Sequence, residues 1–217
     1  MLGHRRILAS LQEAIKNDNV GHAYIFEGPD GIGRRETALS FAAMLMCENG
    51  QPPCGQCRSC RLFAEGSNPD FQEIYFHEKG ISVDDVRNAL KGLVIRPLYS
   101  KYKVVIINDA DEMTVQAQNA LLKSLEEPPP YMVFILTVQS GAAITPTIKS
   151  RCQRILFKKL SSQEIIGILE QKYGKRNAEW DFIVSYSDGV IGTAIELVES
   201  PDYMELRNQV LKSVNDL

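Results

Sequence analysis

Residues 23–45 read AYIFEGPDGIGRRETALSFAAML. The first four, Ala23 to Phe26, are an apolar run of strand length. A glycine-rich turn follows, and then Ala38, Phe41, Ala42 and Leu45 recur at helical spacing. Strand, turn and helix in that order are the setting a phosphate-binding loop requires, and they form the first half of a crossover unit in a parallel sheet. Gly28 and Gly33 stand at GxxxxG spacing. Gly28, Gly31 and Gly33 let backbone N–H groups curl around phosphate oxygens at the positive end of a helix.

Working outward, four more short runs read as strands: Phe71 to Phe76, Val104 to Asn108, Met132 to Thr137 and Arg154 to Phe157. AYIF, VVII and MVFIL are apolar without alternation, as strands covered on both faces are. Helical faces lie between the strands, formed by Leu8, Leu11 and Ile15 and by Ala117, Ala120, Leu121 and Leu125. The pattern predicts an α/β fold, a parallel five-stranded sheet with helices on both faces. After Phe157 the pattern is helical only, through Ile165, Ile168, Leu169, Phe182, Ile183, Ile195, Leu197 and Val198. A boundary near Leu160 is therefore expected, with a core over 1–160 and a small helical domain over 161–217. Pro201 to Leu217 is amphipathic and lacks a cap or polar tail, as though cut from a longer chain.

The turn lacks the parts that hydrolysis needs. A nucleotide-cleaving loop places a lysine on the outer phosphates, a hydroxyl on Mg2+ and an acid at the end of a neighbouring strand. Arg34 fills the lysine position with a broad planar fork, which is not an equivalent group in a tight cradle. Arg35 has no hydroxyl and brings positive charge to the cation's place. At the end of VVII stands Asn108, a neutral amide, followed by Asp109. Asp111 and Glu112 fall beyond the strand end and read as an exposed acidic turn before a helix. The loop is thus open to three readings: an active site, an anion site without turnover, or a structural turn.

Cys47, Cys54, Cys57 and Cys60 make the spacing Cx6CxxCxxC. Two-residue gaps let adjacent thiolates face one ion, and Gly50, Pro52, Pro53 and Gly55 supply turns. Four thiolates close a tetrahedral site, so structural Zn2+ over 47–60 is the reading. CxxCxxC also begins an iron–sulfur run, but here the fourth cysteine, Cys47, precedes the trio and no CysPro follows it. Arg58 and Arg61 beside the ligands would suit a DNA-binding zinc module, but no aromatic or basic surface is evident around them.

Composition restricts the classes. Of 217 residues, 24 are Lys or Arg and 27 Asp or Glu, a net charge of -3, so the chain as a whole is no polycation seeking nucleic acid. There is no apolar run of signal-peptide or membrane-span length, and a cytoplasmic protein without membrane contact is expected. The cytosol disfavours disulfides, which supports metal ligation by the cysteines.

Taken together, "GHAYIFEGPDGIGR", the four cysteines, "NPDF" (Asn68 to Phe71), "KVVIINDADEMTVQAQNALLKSLEEPP" (Lys103 to Pro129) and "PTIKSRCQ" (Pro146 to Gln153) resemble the AAA+ subunits of the bacterial clamp loader of DNA polymerase III. Within that family the degenerate loop is similar to the delta prime stator rather than to the gamma/tau motor. The resemblance implies an AAA+ core with an inserted zinc knuckle, a helical lid and a collar domain, the last apparently lacking from this chain. It implies DNA replication as the process, and gamma/tau and delta subunits, the sliding clamp and primed DNA as partners.

The four cysteines fall on the family's zinc ligands. Arg151 falls on the arginine of SRC, the finger that reaches a neighbour's ATP site and places a guanidinium against the γ-phosphate. Read alone, Arg151 is a loop arginine pairing with a local carboxylate, and Cys152 beside it a small buried filler. Val138 and Gln139 stand where motors keep a phosphate-sensing polar pair, and Gly192 where the lid keeps a sensing arginine. ATP with Mg2+ is then not expected to bind productively, and the chain is expected to catalyse nothing alone. The competing readings are a divergent gamma/tau-like motor ATPase, with Arg34 for the lysine and Asp109 for the acid, and a stand-alone zinc DNA-binding module.

Overall fold

A computed structural model describes residues 3–49, 53–75, 81–91, 95–174 and 180–200. Five parallel strands form one sheet: β1 (Ala23–Glu27), β2 (Phe71–Ile74), β3 (Lys103–Ile107), β4 (Met132–Val138) and β5 (Gln153–Leu156). They are ordered β2-β3-β4-β1-β5. Every predicted strand is present within a residue or so. β3 and β5 each begin and end one residue early, β2 stops at Ile74 short of Tyr75, and its predicted end at Phe76 lies outside the described residues, as does the stretch from Pro201 to Leu217.

The helices are α1 (Arg5–Lys16), α2 (Arg34–Met46), α3 (Arg58–Ala64), α4 (Val83–Lys91), α5 (Val115–Glu126), α6 (Pro146–Lys149), α7 (Ser162–Tyr173), α8 (Trp180–Tyr186) and α9 (Ile191–Glu199). The central strands are buried nearly throughout, and their side chains alternate between two cores. Tyr24, Phe26, Val104, Ile106, Val133 and Ile135 face Leu11 of α1 and Phe41 and Leu45 of α2. Ala23, Ile25, Val105, Ile107, Phe134 and Leu136 face Val86 of α4 and Leu121 and Leu125 of α5. Two-sided burial is why these strands show no alternation in sequence. The edge strand β5 is largely exposed and carries Arg154, which discourages pairing with another chain.

Register aligns Glu27 with Val138 and Ile107 with Leu136, so the loops leaving β1, β3 and β4 open at one edge of the sheet. Ligands of open α/β sheets bind at that carboxyl edge. After β5, a Ser161–Glu164 capping box starts α7. Leu160, Ile165, Leu169, Trp180, Ile183, Ile191 and Leu197 then form a third core from α7, α8 and α9.

Candidate functional site

The turn after β1 has the form of a phosphate loop. Gly33 caps α2 with φ 100°, and Gly31 has φ 68°. A Cβ on Gly28 would lie 2.7 Å from Phe157 Cβ and 2.8 Å from Phe157 O, so the loop can pass β5 only as glycine. His4 Nε2 donates to Ile32 O at 2.9 Å, and the His4 ring meets Phe157 edge-on at 4.7 Å. Burial holds this imidazole below its ordinary range, against the opposing pull of the carbonyl bond.

Internal ion pairs fill the chemical positions of the loop. The Arg34 side chain is 5% exposed and reaches Asp30 Oδ1 at 3.3 Å and Asp109 Oδ1 at 3.5 Å. Its buried Nη1 has no hydrogen-bond partner among the described residues. Burial pushes the Asp109 carboxyl up, with Arg34 pulling the other way. Arg35 turns to the end of β2, where Nε donates to Glu73 Oε1 at 2.8 Å and Nη2 to Glu73 Oε2 at 3.1 Å and Tyr75 OH at 2.6 Å. Asn108 Nδ2 donates to the same Glu73 Oε1 at 2.7 Å. Burial raises the Glu73 carboxyl, but the bonds from Arg35, Tyr75 and Asn108 outweigh it and hold the group below its ordinary range. A fixed guanidinium therefore neutralises the acid that Asn108 contacts.

The remaining residues around the loop are also engaged within the chain. Val138 is fully buried and Gln139 exposed. Asp111 is half-buried rather than exposed as expected, and its Oδ2 accepts from Gln139 N at 2.9 Å and Ser140 N at 3.3 Å. It caps the turn leaving β4; only Glu112 is the exposed member of that acidic pair. Gly192, at the first turn of α9, donates its N–H to Gly31 O at 2.7 Å. A Cβ there would come within 2.8 Å of Gly31 Cα and O, so the helical part rests backbone to backbone on the loop.

Cys47, Cys54, Cys57 and Cys60 converge, with all four sulfurs within 4.8 Å of one another and those of Cys54 and Cys60 4.0 Å apart. A tetrahedral Zn–S distance of about 2.3 Å sets sulfurs about 3.8 Å apart, so small adjustments complete the site. Backbone N–H groups point at the sulfurs, from Cys54 to Cys47 at 3.5 Å, Cys57 to Cys54 at 3.3 Å and Cys60 to Cys57 at 3.3 Å. Such donors favour thiolates. Those from Cys57 and Gln56 bring Cys54 down to about 6, whereas burial pushes Cys60 up to about 12. Four cysteines so placed could bind a metal ion. The sequence showed no aromatic group near Arg58, yet Tyr99 lies under its guanidinium at 4.2 Å, brought from a distant loop and used internally.

Arg151 follows α6, 34% exposed. Its Nη1 donates to Thr147 O and its Nη2 to Glu126 Oε1, each at 2.8 Å. In this chain the arginine pairs with a local carboxylate, as its loop setting alone suggests. Cys152 packs half-buried against the α4/α5 core, and burial pushes its thiol up to about 12, which makes it inert filler.

Sequence reasoning assigned no role to Asn68 and Asp70, and both proved to be ties. Asp70, 2% exposed, accepts from the N–H groups of Leu98 (2.8 Å), Tyr99 (2.8 Å) and Ser100 (3.1 Å). Asn68 Nδ2 donates to Ser59 O at 3.0 Å. They fasten the cysteine segment to the strand edge. An Asn and an Asp around a proline signal a turn, but not where their partners lie.

The family described as "DNA polymerase III, delta subunit" matches residues 3–161. DNA polymerase III subunit tau of Bacillus subtilis (strain 168) is 34% identical over 206 residues, 92% of this chain and 36% of the relative. Subunit delta' of the same organism is 31% identical over 209 residues, 95% of this chain and 63% of the relative. The chain thus spans between about a third and two thirds of these relatives. Among solved structures, a gamma subunit-related protein of Thermotoga maritima superposes with a TM-score of 0.66 at 28% identity, over 87% of this chain and 56% of that one.

Proposed function

Since the chain belongs to the DNA polymerase III clamp-loader family of AAA+ proteins, we propose that it is the delta prime stator: a subunit that catalyses nothing alone and braces a motor neighbour while the sliding clamp is placed on primed DNA. The observation that carries this reading is the committed state of the phosphate loop. Arg34 is held by Asp30 and Asp109, and Arg35 occupies the cation's place against Glu73. Asn108 supplies no negative charge, and Gly192 offers a backbone contact where a sensing arginine would reach phosphate. Hydrolysis needs several of these groups at once.

The remaining assignments follow the same reading. Residues 1–160 act as the AAA+ core and 161–217 as the lid. Cys47, Cys54, Cys57 and Cys60 hold a structural Zn2+ that joins the end of α2 to α3. Arg151 serves in trans, placing its guanidinium against the charge that develops on a neighbour's γ-phosphate. The partners are gamma/tau and delta subunits, with clamp and DNA reached through the complex in the cytoplasm. No described helix is long and apolar enough to cross a membrane.

A second reading, a divergent motor, is favoured by the buried Arg34 Nη1 without a partner, a donor that a phosphate oxygen would satisfy. One measurement separates the two. The purified chain with ATP and Mg2+ should release no phosphate above background, and turnover that disappears in Arg34→Ala would establish the motor reading in place of the stator.

A further inference from the structure

Arg151 is held before any neighbour arrives. Beyond the 2.8 Å bonds to Thr147 O and Glu126 Oε1, Nη1 makes a longer contact to Ser150 Oγ at 3.3 Å. A guanidinium has five N–H donors, so two remain for an incoming oxyanion. The residue that supplies this carboxylate sits at a defined helix end. Glu126 is the last residue of α5, and Pro128 forces Glu127 out of the helix, at φ -125° and ψ 63°.

The same helix grips the finger's loop at its other end. Gln118 of α5, 2% exposed, donates from Nε2 to Ala143 O at 2.9 Å and accepts at Oε1 from Thr145 N at 2.9 Å. Gln118 and Glu126 are eight residues apart, about 12 Å along the axis, so the loop is strapped to α5 at both ends.

We infer that Glu126 is a positioning residue for Arg151, holding the guanidinium against α5 in the orientation a neighbouring active site requires. The inference rests on the reading of Arg151 as a finger acting in trans. An unrestrained arginine gives up its rotamer freedom when it engages, whereas a held one has done so already, and the neighbour's transition state is reached at lower cost. A carboxylate suits the task because it anchors one edge of the fork and leaves the rest open. An amide oxygen at the same place would keep the anchor with a weaker field.

The test is the ATPase of a loader reconstituted from the motor subunits and the full-length chain carrying Glu126→Gln, Glu126→Ala, Arg151→Ala or both alanine changes. Glu126 is half exposed, and thermal melts should show every variant folded. Glu126→Ala should lower kcat about tenfold with KM for ATP unchanged, and Glu126→Gln should stay within about twofold of the unaltered loader. The double variant should be no slower than Arg151→Ala alone. If Arg151→Ala slows the loader and Glu126→Ala does not, or if their effects add, Glu126 has no part in positioning and the finger reading stands. If Arg151→Ala itself changes nothing, the finger reading fails and this inference with it.

Discussion

At the scale of single residues, the decisive feature is an internal ion pair beside the phosphate loop. Arg35 makes a two-pronged contact with Glu73, while Asn108 and Tyr75 complete that carboxylate's hydrogen bonds. Because the folded Glu73 carboxyl lies below its ordinary range, the folded state binds its proton less readily than the unfolded chain. Its contribution to stability is therefore present above the unfolded value of about 4.3 and lost as pH falls through the lower folded value. Stability measured by denaturant between pH 6 and 3 should decline across that acid window, and in Arg35→Ala this part of the decline should flatten. An unchanged slope would mean that Arg35 does not govern Glu73. The arginine's misfit to a phosphate loop was readable from its type and position. Its partner was not, because Glu73 is 38 residues away and becomes adjacent only when β2 joins the sheet.

At the scale of elements, what matters is how closely backbones approach. The first turn of α9 lies on the phosphate loop through Gly192 and Gly31, each without a side chain in the way. Gly192→Ala adds a methyl at 2.8 Å from backbone that cannot give, so α9 must shift. The expected cost is about 1–3 kcal/mol, the range for overpacking a tight contact. Hydrogen exchange should report it as faster exchange at Gly192 and in the first turn of α2, and protection equal to that of the unaltered chain would show that the contact is not maintained in solution. The strands themselves were legible, because two-sided burial writes continuous apolar runs into β1, β3 and β4. The contact between the loop and α9 was not, since a glycine opening a helix carries no sign of what approaches it.

At the scale of the whole molecule, three cores share one chain, and the cysteine segment joins the first of them to its edge. Asp70 and Asn68 tie α3 and the 98–100 loop together beneath the four cysteines. If Zn2+ is the ion they hold, metal analysis should find about one equivalent and no iron. Stripping it with a chelator should lower the melting temperature and expose Cys47 and Cys60 to thiol reagents, with recovery on adding Zn2+ but not Mg2+. A melting curve indifferent to the chelator would remove the structural role. The net charge of -3 adds a constraint at this scale, because the chain as a whole carries no positive field that would draw it to nucleic acid.

The sequence by itself determined the order of the strands, the helical faces of α1, α2 and α5, the helix-only stretch after Phe157, the cysteine cluster and the unusual residue types of the phosphate loop. These depend on local periodicity, spacing and residue type, which a chain displays without being folded. Only the tertiary structure decided which partner each arginine takes. Arg34 with Asp109, Arg35 with Glu73, Arg58 with Tyr99 and Arg151 with Glu126 each join residues at least 25 positions apart. An arginine side chain is long and carries five donors, so its sequence position limits its partner only loosely. The packing of the sheet and its helices makes that choice.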